Sequence, residues 1–252
     1  MSSLGPIGIP FIELPMVDST NNYAMALAHA GMAQHGTAVF AHEQVRGKGQ
    51  RNKTWVSTRG QNISMSIILS PELLSITPLF LLSMATALAV KRLLDPFSQN
   101  EMRIKWPNDL YWRDRKAAGI LIENLWQGGR WKNAIVGIGI NINQEHFGEL
   151  QSRAVSLKQI TGKEHDPLSL AKSLCSELDK QYRLMSKDPE IIRKDYGDSL
   201  YKKGEWVRLK KGNRTFDARV MGVSNEGQLI VQHGLEERFD VGQVEWAMVN
   251  GE

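Results

Sequence analysis

The chain has 252 residues, 42% of them hydrophobic and 23% charged, which excludes a disordered or fibrous protein and allows one large domain or a medium domain with a small one. A single cysteine, Cys175, rules out an internal disulfide and a thiolate-rich zinc site, and no signal-like segment precedes Leu4, so a cytosolic location is expected. Lys and Arg number 31 against 27 Asp and Glu, a formal +4 that points to acidic or phosphate-bearing partners; the most apolar stretch, 79–90, is broken by Ser83 and Thr86, so no membrane partner is expected.

Ser19 to Ala30 offers Ser, Thr and Asn as caps, then Tyr23, Ala24, Leu27 and Ala28 at helical spacing, with Gly31 as a stop. Thr37 to Glu43 reads as a strand. Gln44 to Lys53 (QVRGKGQRNK) follows it with two glycines and four cations, and reads as a mobile cationic loop. Asn62 to Leu69 places Ile63, Met65, Ile67 and Leu69 on alternate positions, which predicts a strand with one buried face. Thr77-Pro78 is a helix start, and Leu79 to Leu94 stays apolar until Asp95-Pro96, so that helix should lie against a sheet.

From Met102 the pattern turns to short β-like runs, Arg103 to Trp106, Leu110 to Trp112, Ala117 to Trp126 and Trp131 to Asn141, separated by turn residues, which predicts consecutive antiparallel strands. Pro167 to Met185 returns to helical spacing through Leu168, Leu170, Ala171, Leu174, Leu178 and Tyr182. Beyond residue 200, short strands at Trp206 to Leu209, Phe216 to Val223, Gln228 to Gln232, Glu237 to Asp240 and Val244 to Val249 suggest a small barrel. The expected division is therefore 1–199 and 200–252.

Three segments can carry chemistry. In the cationic loop, Gly47 and Gly49 let the backbone approach an anion while Arg46, Lys48, Arg51 and Lys53 supply charge. It is not a P-loop, because it lacks the Gly-Lys-Ser/Thr ending and leads toward Trp55 and a strand; a solvated basic loop is the plain alternative. In KWPNDLYWRDRKAAGI, Lys105 to Ile120, a strand end, a turn and a lysine-glycine segment bring one carboxylate and two lysines into one neighbourhood, and a hairpin would place Asp109 near Lys116; the alternative is a surface salt bridge at an ordinary turn. In VGIGININ, Val136 to Asn143, two glycines remove side chains where something approaches the strand, and Asn141 can present its amide; a bulged strand is the alternative. The six histidines show no metal-ligand spacing, Cys175 is expected in the core, and Trp55, Trp106, Trp112, Trp126 and Trp131 are expected there for the most part, with Trp55 able to stack on a base.

Taken in order, DSTNN (Asp18 to Asn22), EQVRGKGQR (Glu43 to Arg51), KWPNDLY (Lys105 to Tyr111), KAAGILIE (Lys116 to Glu123) and GIGININ (Gly137 to Asn143) resemble the biotin protein ligases, over the ligase domain and more weakly over the C-terminal barrel. The resemblance implies an α+β fold, a mixed and mainly antiparallel sheet flanked by helices, of the class II synthetase-like kind, followed by an SH3-like barrel. It implies two reactions. Biotin attacks the α-phosphate of Mg²⁺-ATP to give biotinyl-5′-AMP and pyrophosphate, then a lysine of a biotin carboxyl carrier domain, such as that of an acyl-CoA carboxylase, attacks the mixed anhydride.

By motif, Ser19, Thr20, Asn21, Gln44, Lys48, Gly49, Gln50, Lys116 and Gly119 correspond to biotin-binding positions, and the loop from Gly47 to Lys53 to the segment that orders over biotin and the adenylate. Arg51, Trp55, Asn108 and Asn141 correspond to nucleotide contacts. Lys116 corresponds to the central lysine, and Asp109 to an acidic residue that positions Mg²⁺ or the incoming carrier lysine. The common loop reads Gly-Arg-Gly-Arg-x-Gly-Arg, whereas here Lys48 and Gln50 replace arginines and Asn52 a glycine, which removes a guanidinium fork and a charge. A lipoate or octanoyl transferase is the alternative of the same fold family, and a non-enzymatic binding module the alternative of another class. With DSTNN beginning at Asp18, no DNA partner is expected, while pairing into a homodimer is left open.

Overall fold

Residues 4–70 and 79–247 are described in the computed structural model; the expected Thr77-Pro78 helix start and the end of the expected strand 244–249 lie outside them. Seven strands, β1 (Phe11–Leu14), β2 (Ala38–Ala41), β3 (Asn62–Leu69), β4 (Met102–Lys105), β5 (Asp109–Trp112), β6 (Arg115–Gln127) and β7 (Arg130–Asn141), form a sheet in the order β1-β2-β3-β7-β6-β5-β4. Only β1 and β2 pair in parallel, so the sheet is mixed and mainly antiparallel, as expected. Strand β1 had no counterpart in the sequence reading.

The alternation in β3 predicted one buried face, yet all eight of its residues are buried. Ile63, Met65, Ile67 and Leu69 enter the main core with helices α2 (Leu79–Leu94) and α4 (Pro167–Lys187). Ile68, on the opposite face, packs with Ala24 of helix α1 (Thr20–His29), and Ser64 and Ser66 share that face without reaching solvent. The polar half of the pattern therefore marks the floor of a site between sheet and helix. On the core side, α2 buries Leu81, Leu82, Leu88, Val90 and Leu93 among others, which explains its near-continuous apolarity; truncating one such leucine to alanine costs about 2–5 kcal/mol.

Two helices went unanticipated: α3 (Leu157–Thr161), with a Ser156/Gln159 capping box, and α5 (Pro189–Asp198). Helix α5 repeats the start of α4: an Asp before a Pro, Asp188-Pro189 and Asp166-Pro167, accepts backbone N–H groups of the first turn.

Strands β8 (Trp206–Lys211), β9 (Arg214–Val223), β10 (Leu229–His233), β11 (Leu235–Phe239) and β12 (Glu245–Trp246) form an antiparallel sheet in the order β11-β10-β9-β8-β12, which fits an SH3-like unit. It is joined to the rest through Trp106, whose Nε1 donates to the Gly227 carbonyl at 2.9 Å, and through Phe80, which fills the space a side chain at Gly227 would need. Not every tryptophan is in the core: Trp126 is 55% exposed on a β6–β7 hairpin and stacks only on Trp131. No helix among the described residues is long and apolar enough to cross a membrane.

Candidate active site

The site starts where α1 begins. Ser19 takes the N-cap position, but its hydroxyl does not cap; it is fully buried with no hydrogen-bond partner. Thr20 donates both its backbone N–H and its hydroxyl to Gln44 Oε1, at 2.8 and 3.0 Å, tying the helix to the start of the cationic loop. Asn21 donates to Glu123 Oε2 at 2.7 Å, and Ser66 Oγ lies 2.5 Å from Asn21 Oδ1 and 2.7 Å from Thr20 Oγ1. Ser66 and Glu123 are site residues that sequence reasoning missed; a serine at alternate positions of an otherwise apolar strand was the available signal.

Across the sheet, Cα pairing lines up Ser64, Gly139, Gly119, Asp109 and Lys105 in one row on the α1 face. The row is open because its centre has no side chains. A Cβ on Gly137 would collide with the Asn21 amide and one on Gly139 with the Trp55 indole, so the two glycines of VGIGININ admit the protein's own side chains. A Cβ on Gly119 would sit 3.1 Å from Lys116 Nζ, where that ammonium meets Asp109 Oδ1 at 2.7 Å. Hairpin β5–β6 thus joins the lysine and carboxylate of the two motifs.

Lys116 is held from behind. Its backbone N–H donates to the Arg153 carbonyl at 2.7 Å, and its carbonyl accepts from Val155 N–H at 3.0 Å. Asn141 donates its amide to the Lys116 and Val155 carbonyls, at 3.3 and 3.2 Å, and the Asn108 amide donates to the Ile120 carbonyl. The N–H groups of both asparagines, expected to face a nucleotide, are engaged with backbone around the Lys116 hairpin, although both residues line the cleft.

The cationic loop folds back on itself rather than extending: Gly49 N–H donates to the Lys53 carbonyl at 2.7 Å and Trp55 N–H to the Gly47 carbonyl at 2.9 Å. Lys48 reaches Glu123 at 3.4 Å, and Arg51, in a left-handed conformation, meets Glu245 of β12 at 2.7 Å. The Trp55 Nε1 is buried without a partner.

Lys105, the second lysine of the KWPNDLYWRDRKAAGI segment, stands at the same site. Lys105 Nζ lies 4.4, 5.6 and 4.9 Å from the ring centroids of Tyr111, Tyr201 and Trp246, and 3.3 Å from the Tyr111 hydroxyl. Burial pulls this ammonium down to about 8, against the opposing attraction of Asp109.

One cleft of about 710 Å³ is lined by Ser19, Thr20, Asn21, Gln44, Lys48, Gly49, Gln50, Arg51, Trp55, Asn108, Asp109, Lys116, Gly119 and Asn141, together with Lys105 and Trp246, while Ser66, Glu123 and Tyr201 stand behind its walls. Among the described residues no group of three or more His, Cys, Asp or Glu could hold a metal ion; the cleft is lined by two carboxylates, Asp109 beside Lys116 and Glu245 beside Arg51. Cys175 is core, its thiol pushed up to about 12 by burial, which removes it as a nucleophile.

Residues 13–141 match the model of the biotin/lipoate A/B protein ligase family. The chain is 32% identical over 240 residues to the bifunctional ligase/repressor BirA of Bacillus spizizenii, covering 92% of this chain and 73% of that protein. It is 29% identical over 228 residues to the biotin--[acetyl-CoA-carboxylase] ligase of Paracoccus denitrificans, covering 87% and 92% respectively. The structure of biotin protein ligase from Aquifex aeolicus in complex with biotin and ATP superposes with a TM-score of 0.80 at 26% identity, over 94% of this chain and 99% of that one. With the motif blocks gathered in one cleft and these likenesses spanning nearly the whole chain, the protein belongs to the biotin/lipoate A/B protein ligase family, among its biotin protein ligases.

Proposed function

We propose that the cleft activates biotin with Mg²⁺-ATP as biotinyl-5′-AMP and transfers the biotinyl group to a lysine of a biotin carboxyl carrier domain. The observation that carries this reading is the Lys116–Asp109 pair, 2.7 Å apart over Gly119, in the same cleft as an uncommitted buried hydroxyl and the loop cations. The difficulty of the first step is charge, since a carboxylate must meet a polyanion. A unit charge about 4 Å from its partner gains on the order of 4 kcal/mol at an effective dielectric of roughly 20, so Lys116 placed at the meeting point offsets much of that repulsion.

The ends of the cleft suit different parts of the ligand. The Ser19 hydroxyl, buried without a partner, suits a polar group of the biotin head, because an unsatisfied hydroxyl there costs about 1–3 kcal/mol until a ligand meets it. Gln44, Thr20, Asn21 and Ser66 hold that end rigid through their mutual hydrogen bonds. Lys48, Gly49, Gln50 and Arg51 cover the activated acid and exclude water, and Trp55 offers a face for the base. Asn108 and Asn141 act chiefly by fixing the Lys116 hairpin.

Magnesium enters as part of the nucleotide. Asp109 would be the carboxylate that holds it together with the phosphates of ATP, which matches the usual habit of Mg²⁺ of taking few protein ligands and several phosphate or water oxygens. In the second step the carrier amine attacks the acyl carbon, the bond to AMP breaks, and Asp109 orients the incoming lysine. Biotin-dependent exchange of pyrophosphate into ATP tests the reading. It should appear with biotin and be absent with lipoate or octanoate, and the reverse preference would move the chain to the lipoate side of the family.

A further inference from the structure

Lys105 has no close counter-ion among the described residues. It is mostly buried, yet among the described residues no carboxylate pairs with it within 4.0 Å; Asp109 and Asp114 attract it from farther off, and its direct contacts are the Tyr111 hydroxyl and three aromatic faces. Those faces come from three places: strand β5, the segment entering the C-terminal sheet, and strand β12. The Tyr201 ring that forms one wall is fixed by its hydroxyl, which donates to Asp114 Oδ1 at 2.5 Å. A desolvated ammonium held by ring quadrupoles is a poor structural element by itself, because the rings recover only part of the lost hydration. Such a site is complete once an anion arrives.

Its position says which anion. The row across the sheet runs Gly139, Gly119, Asp109, Lys105, and the polar end at Asn21, seated against Gly137, lies on the β7 side. An acid entering from that side meets the α-phosphate near Lys116. Attack on phosphorus proceeds with the entering and leaving oxygens roughly in line, so the leaving group departs away from the acid, toward β4. Lys105 stands there, one strand beyond Asp109.

We propose that Lys105 is the leaving-group cation of the adenylation step, binding the β- and γ-phosphates of ATP and then pyrophosphate, with Tyr201 and Trp246 as the residues that position it. This rests on the adenylating function proposed above. As a biotin carboxylate oxygen bonds to the α-phosphorus, the bond from that phosphorus to the bridging oxygen breaks, and pyrophosphate leaves with the electron pair. Lys105 faces the negative charge that grows on it and transfers no proton. The second step, in which AMP leaves, makes no use of this position.

The test separates the two half-reactions in the full-length protein. Lys105→Met should raise the KM for pyrophosphate in biotin-dependent exchange roughly 100-fold, and Lys105→Arg should recover most of that loss. Transfer from chemically prepared biotinyl-AMP to a biotin carrier domain should change by no more than about twofold in the same variants, which also shows that the fold and the acid pocket survive. Trp246→Phe should stay near wild type and Trp246→Ala should raise the pyrophosphate KM with little effect on transfer. An unchanged pyrophosphate KM in Lys105→Met, or exchange and transfer falling together, would overturn the assignment of Lys105. Absence of biotin-dependent exchange in the wild-type protein would instead overturn the functional reading, and this assignment with it.

Discussion

Gly137 on β7 is the socket for Asn21: a Cβ there would collide with the Asn21 amide, whose Nδ2 donates to Glu123 and whose Oδ1 meets Ser66. A strand glycine and a helix-start asparagine, more than a hundred residues apart, thus form one device. Gly137→Ala should displace Asn21 and weaken biotin binding at least tenfold, with a stability loss of about 1–3 kcal/mol from overpacking. Gly197→Ala, in α5 with open space around the position, should instead leave binding unchanged and stability equal or higher by about 0.5–1 kcal/mol. Calorimetric titration with biotin and thermal melts check both.

The loop and the C-terminal sheet meet at Arg51 and Glu245, 2.7 Å apart with side chains 41% and 62% exposed. At that exposure the pair contributes less than about 1 kcal/mol to stability. Its consequence is positional. Glu245→Gln should leave the melting temperature nearly unchanged while biotinyl-AMP dissociates several-fold faster, as stopped-flow release would record. Gln50→Arg restores a cation that the common loop pattern carries at this position, and should slow the same release; an unchanged rate would remove the loop charge from the account.

Lys105 makes the nucleotide step pH-dependent in a stated direction. Burial lowers its ammonium from 10.5 to about 8, with Asp109 and Asp114 opposing that fall and Lys116 adding to it, and with the Tyr111 and Tyr201 phenols held neutral by burial well above their usual range. Raising pH through about 8 therefore removes a positive charge from the free enzyme, and kcat/KM for ATP should decline there. Lys105→Arg should keep its charge and flatten the profile. For stability the sign is opposite: between about 8 and 10.5 the unfolded chain binds the extra proton, so this group's contribution to stability rises with pH in that window.

Much of the site could be read from local chemistry. Pro107-Asn108-Asp109 turns β4 into β5 and Arg113-Asp114-Arg115 turns β5 into β6, and hairpin β5–β6 brings Asp109 to Lys116. What stayed hidden depends on distant register. Nothing within β3 says that Ser66 faces Asn21, because its partner face is set by pairing with β7 and by α1 lying above. The sequence places Lys105 near Asp109 and Lys116 but says nothing of the aromatic wall around it, because Trp246 comes from the other sheet, and nothing local marks Glu123 as the partner of Asn21. Trp126 was expected in the core because composition favours burying tryptophan, but the β6–β7 hairpin carries it into solvent. Conversely, Asp188-Pro189 carried a helix-start signal as clear as that of Asp166-Pro167, so α5 could have been found.

The most direct test of the central claim is intact mass spectrometry of a biotin carboxyl carrier domain incubated with this protein, biotin and Mg²⁺-ATP. One biotinyl group should be added, only with ATP present, and Lys116→Ala, folded as judged by its melt, should add none. A carrier left unmodified by the wild-type protein, or modified at a near-normal rate by Lys116→Ala, would contradict the assignment of this cleft as the site of biotin activation and transfer.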